Sequence, residues 1–95
     1  MPKFLIEVPH EEEVVACARA IKILFESGSH FLTNADFGCQ DGVHKAWIVV
    51  DVDTKEEARA IVPVAYRSRS TVVRLCKFGT KQLDALIARH DGRHA

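Results

Sequence analysis

The spacing of apolar residues in the first third of the chain predicts a strand followed by a helix. The run Phe4–Val8 contains one Glu among apolar residues and predicts a strand that stops at Pro9. From there apolar residues recur every three or four positions, which predicts an amphipathic helix over residues 10–27. Gly28 is a natural stop for this helix.

The next segment has the pattern of a β-hairpin. Asp41 and Gly42 lie between two strand-like runs, His30–Cys39 and His44–Val52. An Asp-Gly pair in this position predicts a two-residue turn, because both turn residues must accept a positive φ. The resulting register pairs Asn34 with Val49, Asp36 with Trp47, Phe37 with Ala46, and Cys39 with His44.

The second half of the chain predicts two more helices and a strand. Thr54 and Glu57 have the spacing of a capping box, which indicates the start of a helix. Pro63 predicts that this helix kinks or ends early, since proline cannot continue the hydrogen-bond ladder. The run Thr71–Phe78 predicts a fourth strand, and Thr80 is placed to cap a last helix.

The predicted order is β-α-β-β-α-β with an extra C-terminal helix. It indicates an α+β protein of ferredoxin-like topology, in which helices cover one face of a four-stranded antiparallel sheet. Right-handed crossovers would place the first and third strands in the centre. We expect a single domain over residues 1–90 and a polar C-terminal tail over residues 91–95.

Strand alternation assigns the side chains to two faces of this sheet. The face predicted to lie under the helices is apolar and comprises Phe4, Ile6, Val8, Phe31, Ala35, Phe37, Ala46, Ile48, Val50, Val52, Val73 and Leu75. The open face is mixed and comprises Lys3, Leu5, Glu7, Leu32, Asn34, Asp36, Lys45, Trp47, Val49, Asp51, Val72, Arg74 and Cys76. Because an exposed apolar patch is a liability, we expect a second copy of the chain to cover the open face.

Composition and charge exclude several classes of partner. The chain has 95 residues, of which 47% are hydrophobic and 27% charged, as in ordinary globular proteins. Thirteen basic and thirteen acidic residues give a formal net charge of zero. Since binding to nucleic acid depends on a surplus of basic groups, we expect no nucleic-acid partner. We expect no membrane partner either, because no apolar stretch approaches the roughly 20 residues that span a bilayer.

The cysteines indicate a reducing compartment. Cys17, Cys39 and Cys76 are odd in number, widely separated and without a Cys-x-x-Cys motif. This usage, with no export signal at the N-terminus, is typical of a cytoplasmic protein.

The element order, the mixed open face and the extra helix resemble the dimeric α/β-barrel superfamily. The segment 47–59, WIVVDVDTKEEAR, is similar to the strand, acidic turn and helix start of these domains. The superfamily includes muconolactone-isomerase-like enzymes, small cofactor-free monooxygenases and small nickel-binding domains. The resemblance implies a homodimer whose two sheets enclose a cavity, but no catalytic motif matches residue by residue.

The first candidate site lies on the open face and would bind a small organic anion in that cavity, without a cofactor. The candidate ligand-binding residues are Trp47, Arg74, Asn34 and His30. Asp36 or Glu7 would move a proton if burial raised its pKa, which fits the isomerase- or monooxygenase-like chemistry of the resemblance. The alternative is a set of cross-strand ion pairs and dimer contacts with no chemistry.

The second candidate site is a transition-metal site formed by His10, Cys39 and His44. These residues are predicted to meet at one end of the sheet, and imidazole and thiolate suit zinc, nickel or copper. The alternative is a buried cysteine with two histidines at the rim, and Cys17 is interpreted as a core residue. The sequence therefore favours a homodimer that binds a small molecule, with a divalent transition metal as the alternative, and it does not decide whether the protein is an enzyme.

Overall fold

The computed structural model describes residues 2–91, in which four strands form one antiparallel sheet. The strands are β1 (Lys3–Pro9), β2 (Asp36–Phe37), β3 (Lys45–Asp51) and β4 (Thr71–Leu75). The helices are α1 (Val14–Ser27), α2 (Lys55–Ala60), α3 (Val64–Arg67) and α4 (Thr80–His90), with 3-10 helices at His30–Asn34 and Cys39–Asp41. The sheet order is β2-β3-β1-β4, so the α+β class and the central position of the first and third strands are confirmed.

The core lies on one face of the two central strands. Their inward side chains are buried and are Phe4, Ile6, Val8, Ala46, Ile48 and Val50. Ala20 and Leu24 of α1 and Ala58 of α2 pack against them. The apolar face predicted for β1 and β3 is therefore confirmed.

The prediction for β4 is wrong by one residue. Val72 pairs with Ile6 and is buried, whereas Val73 pairs with Leu5 on the open face and is 50% exposed. Because paired residues share a face, Arg74 lies on the same side as its partner Phe4 and not on the open face. β4 is an edge strand, and the core needs only one apolar side chain from it.

The second strand is much shorter than the predicted run over His30–Cys39. A 3-10 helix replaces its first half, where the Ser29 hydroxyl accepts a hydrogen bond from the Phe31 amide and the Thr33 hydroxyl donates one to the His30 carbonyl at 2.8 Å. Short polar side chains of this kind compete with strand pairing. As a result Leu32, predicted on the open face, is fully buried in the core.

The hairpin register is confirmed where the strand exists. Asp36 pairs with Trp47 and Phe37 with Ala46. The predicted pair of Asn34 with Val49 does not form, because Asn34 ends the 3-10 helix.

The hairpin loop is longer than the predicted two-residue turn. The Val43 amide donates to the Gly38 carbonyl at 2.9 Å, and the 3-10 helix Cys39–Asp41 lies within the loop that this bond closes. Gly42 has a φ of 81°, which glycine adopts without strain. Cys39 is therefore not a strand partner of His44.

Side-chain caps fix the residues at which α1 and α2 begin. Glu13 caps α1, with its carboxylate accepting from the Val15 amide at 2.7 Å, so the helix begins at Val14 and not at residue 10. Thr54 caps α2 as predicted, accepting from the Glu57 amide at 3.1 Å. α2 ends at Ala60, and Pro63 precedes the separate helix α3. The early end of the helix predicted from Pro63 is therefore confirmed.

α4 follows β4 but adds nothing to the core, since no residue of the helix is buried. Gly79 and not Thr80 occupies its N-cap position. Of the predicted polar tail, Asp91 follows α4, and residues 92–95 lie outside the described residues. Over residues 2–91, no helix combines the length and apolar character needed to cross a membrane.

Candidate metal centre

The end of β1 and the start of β3 bring two histidines together. Pro9 pairs with Lys45 at the end of the ladder, and the next residues continue it through a hydrogen bond from the His10 amide to the His44 carbonyl at 3.0 Å. The two imidazole rings meet edge to face, with centroids 5.9 Å apart. His10 is buried and His44 half-buried.

Two cysteines from other elements complete this cluster. Cys17 lies in the first turn of α1, and Cys39 opens the 3-10 helix of the hairpin loop. The His10 Nε2 atom lies 3.3 Å from the Sγ atom of Cys17 and 3.1 Å from that of Cys39. The ligand atoms of all four residues lie within 4.8 Å of one another. The cluster can therefore hold a metal ion.

Aromatic and apolar side chains enclose one side of the cluster. Phe37 packs edge to face on His10, with ring centroids 6.2 Å apart, and Phe25 of α1 packs on Phe37 in turn. Cys17 is 7% exposed, while Cys39 is half-buried. Aromatic rings therefore line the site beside His10, and Cys39 is its more exposed cysteine.

Burial shifts the pKa of two members of the cluster, His10 and Cys17. It lowers the pKa of His10 from its ordinary value, because the imidazolium form is poorly solvated there. Burial also raises the pKa of the Cys17 thiol, and the hydrogen bond with Cys39 raises it further. Without a metal, the neutral imidazole and the protonated thiol are therefore favoured.

Two ring nitrogens of the cluster are buried without a partner. The Nδ1 atoms of His10 and His44 have no hydrogen bond within the described residues. An unsatisfied buried polar atom costs about 1–3 kcal/mol. A metal ion would be a partner for the Nδ1 atom of His44, whereas His10 faces the two cysteines with Nε2 and its Nδ1 atom would stay unpartnered.

A second group of contacts holds the backbone beside His10. The Tyr66 hydroxyl donates to both carboxylate oxygens of Glu11 at 3.1 Å. Arg69 contacts the same carboxylate at 3.3 Å and lies over the Tyr66 ring, 4.5 Å from its centroid. These contacts tie α3 and the following turn to the residue next to His10.

The three residues of the predicted metal site, His10, Cys39 and His44, thus lie together, and Cys17 joins them. Cys17 is buried, as predicted for a core residue, but the sequence does not predict it as a ligand. The position of the cap at Glu13 brings it into the first turn of α1. Its spacing after His10 carries no recognised metal motif, so only the three-dimensional fold identifies it.

The residues predicted for an anion site are only partly brought together. Glu7 accepts a hydrogen bond from the Trp47 indole at 2.9 Å and pairs with Lys45 at 3.5 Å, and Asp36 is the strand partner of Trp47. The other three candidates do not lie beside them. Arg74 is on the helix side of the sheet, and His30 and Asn34 are exposed residues of the 3-10 helix His30–Asn34. The Glu7 carboxylate therefore already has two partners, and of the six predicted residues the structure brings only Glu7, Trp47 and Asp36 together.

Comparison of the chain with protein-family models, with curated proteins and with solved structures finds no match.

Proposed function

We infer that this protein binds one transition-metal ion of the zinc class through His10, Cys17, Cys39 and His44. The observation that carries this proposal is the convergence of two sulfur and two nitrogen ligands within 4.8 Å of one another. They come from the end of β1, from α1, from the hairpin loop and from the residue before β3. Two thiolates and two imidazoles are a common ligand set of structural zinc sites.

The separations among Cys17, Cys39 and His10 fit a tetrahedral ion after a small adjustment. Zn–S bonds of about 2.3 Å and Zn–N bonds of about 2.0–2.1 Å imply S···S distances near 3.8 Å and S···N distances near 3.6 Å. The Sγ atoms of Cys17 and Cys39 are 3.4 Å apart, and His10 Nε2 is 3.1 and 3.3 Å from them. Outward movements of about half an ångström by side-chain rotation would open the space for the ion.

Charge also favours a divalent ion in this place. Two thiolates neutralise a 2+ charge, and the imidazoles bind in the neutral form that burial already favours for His10. The loaded site would carry no net charge, so the large cost of burying an isolated ion would not arise. A site with four protein ligands has no open position, which is typical of a structural role. The ion would cross-link α1 and the hairpin loop to the central strands.

We also propose the ferredoxin-like topology for this fold, which the sheet order β2-β3-β1-β4 supports. The small-molecule site on the open face is a second candidate, supported by the contact between Trp47 and Glu7 beside Asp36. We place it after the metal site because the Glu7 carboxylate is already engaged and Arg74 lies on the other face.

Zinc content and affinity test the proposal. We expect protein purified without a His tag and supplied with zinc to hold one equivalent, measured by elemental analysis after removal of free metal. Cys39→Ser should weaken binding by more than about 100-fold in competition with a chromophoric chelator, since even outer-shell partners are worth about 10- to 100-fold.

Cys76→Ser is the matched control, because Cys76 is exposed and outside the cluster. It should bind zinc as the unchanged chain does. The affinity of the unchanged chain, measured directly, keeps the test valid if a ligand variant fails to fold. Failure of the unchanged chain to retain zinc, nickel or copper would exclude the proposal.

A further inference from the structure

The C-terminal helix α4 has an apolar side that its own chain does not cover. None of its residues is buried; Leu83 is 39% exposed and Ile87 is 61% exposed. Phe78, just before the helix, is 56% exposed. Leu83, Leu86 and Ile87 lie three and four positions apart and therefore share one side of the helix.

The helix also extends away from the rest of the domain. The molecule is 60 Å long but only 29 and 21 Å across, and its radius of gyration is 17.6 Å. A compact chain of this length has a radius of gyration of about 12–13 Å. An isolated helix of eleven residues is only marginally stable in water, so a packing partner would stabilise α4.

The open face of the sheet is the second uncovered apolar surface in the same chain. Leu5 lies at its centre, with Val49 on one side and Val73 on the other in the strand register. Val49 is 51% exposed, Val73 is 50% exposed, and Leu75 at the end of β4 is 37% exposed. Val49, Leu5 and Val73 form an apolar row across β3, β1 and β4, and Leu75 lies one row further along β4, opposite Lys3.

The helix is short enough to lie on the sheet face. Eleven helical residues span about 16 Å, and strands of seven residues span about 23 Å with neighbours about 4.8 Å apart. Two reciprocal helix–sheet contacts would bury four such surfaces, and stable complexes bury about 1,200–2,000 Å² in total. The formal charge of zero leaves no net repulsion between two copies.

We propose that two copies of this chain form a dimer in which α4 of each copy packs on the open sheet face of the other. The occupant of the sheet is a second copy because α4 already extends beyond its own domain. The contact involves neither His10 nor the hairpin loop, so it is independent of the metal site. This dimer differs from face-to-face packing of the two sheets, because the open face of each sheet contacts the partner's α4 and not the partner's sheet.

The mass of the zinc-supplied protein, measured by light scattering during gel filtration, tests this arrangement. We expect the unchanged chain to be a dimer at micromolar concentration. Ile87→Glu on α4 and Val49→Glu on the sheet should each weaken the dimer by at least 100-fold, because each buries a charge in the helix–sheet contact. Both positions are at least half exposed in the single chain, and circular dichroism should show that both variants remain folded.

Ala88→Glu is the matched control, since it places the same charge on the opposite side of α4 and should leave the dimer intact. A monomeric unchanged chain would overturn the proposal. A dimer that survives Ile87→Glu would indicate packing between sheets, and one that survives Val49→Glu would indicate packing between helices; either result would also overturn it. None of these outcomes depends on whether the chain binds zinc.

Discussion

The Sγ atoms of Cys17 and Cys39 lie 3.4 Å apart, although 22 positions separate the two residues in the sequence. One belongs to the first turn of α1 and the other to the hairpin loop. No strand pairing fixes the distance between a helix and a loop. This proximity therefore depends on the cap at Glu13, which sets the start of α1, and on the loop closed by the hydrogen bond between Gly38 and Val43. The same proximity makes these two cysteines either a pair of metal ligands or a pair of thiols that oxidise together.

The first prediction concerns oxidation of the metal-free protein. Hydrogen peroxide should convert the Cys17 and Cys39 thiols into one intramolecular disulfide. The reaction consumes one peroxide and two thiols and forms one disulfide and two molecules of water. The free thiol count should fall from three to one, and peptide mapping should find the two cysteines linked. Bound zinc should slow the reaction, because the ion holds both thiolates. Oxidation confined to Cys76 would contradict the geometry of the cluster.

The second prediction concerns Tyr66, the only tyrosine in the chain. Burial, and then the hydrogen bonds to the Glu11 carboxylate, raise the pKa of Tyr66 above its ordinary value. Ultraviolet absorbance of tyrosinate should therefore show a midpoint above that of free tyrosine, about 10. Glu11→Gln should lower this midpoint but leave it raised, because burial is the larger cause.

Stability should follow the same titration. A group that holds its proton more tightly in the folded state stabilises the fold fully below its unfolded pKa. The contribution of Tyr66 is therefore present below a pH of about 10 and is lost as the pH rises through the higher folded pKa. Tyr66→Phe should remove this part of the alkaline destabilisation, and an unchanged alkaline profile would contradict it.

The third prediction compares two threonines that precede or begin a helix. Thr54→Ala should lower the free energy of unfolding by about 1 kcal/mol, because the hydroxyl caps the Glu57 amide. Thr80→Ala should change it far less, since Gly79 and not Thr80 occupies the N-cap position of α4. Urea denaturation of the two variants measures the difference. Equal losses would contradict the assigned caps.

Much of the sheet could be predicted because charged residues fix the outward face of each central strand: Glu7 in β1, and Lys45 and Asp51 in β3. β4 could not, because Val72 and Val73 are the same residue type and either could face the core. Pairing with β1 decides it by placing Val72 opposite Ile6. That choice moves Arg74 to the helix side and removes it from the predicted anion site.

The candidate metal site could be predicted in part for a similar reason. His10 and His44 follow from the register of β1 and β3, since each lies just beyond their last pair. Cys39 was expected near them as a strand residue and reaches them from a 3-10 helix instead. Cys17 depends on where α1 begins, and the three consecutive glutamates before the helix leave that start ambiguous in the sequence.

The most direct test of the metal site is the visible absorption spectrum of the protein titrated with Co²⁺ under reducing conditions, using the Cys76→Ser chain. We expect one equivalent to produce the intense bands of a tetrahedral ion and a near-ultraviolet charge-transfer band from two thiolates, because the ligand set is two sulfurs and two nitrogens. One equivalent of Zn²⁺ should abolish both. A weak spectrum typical of octahedral Co²⁺, with no thiolate band, would contradict the assignment of Cys17 and Cys39 as metal ligands.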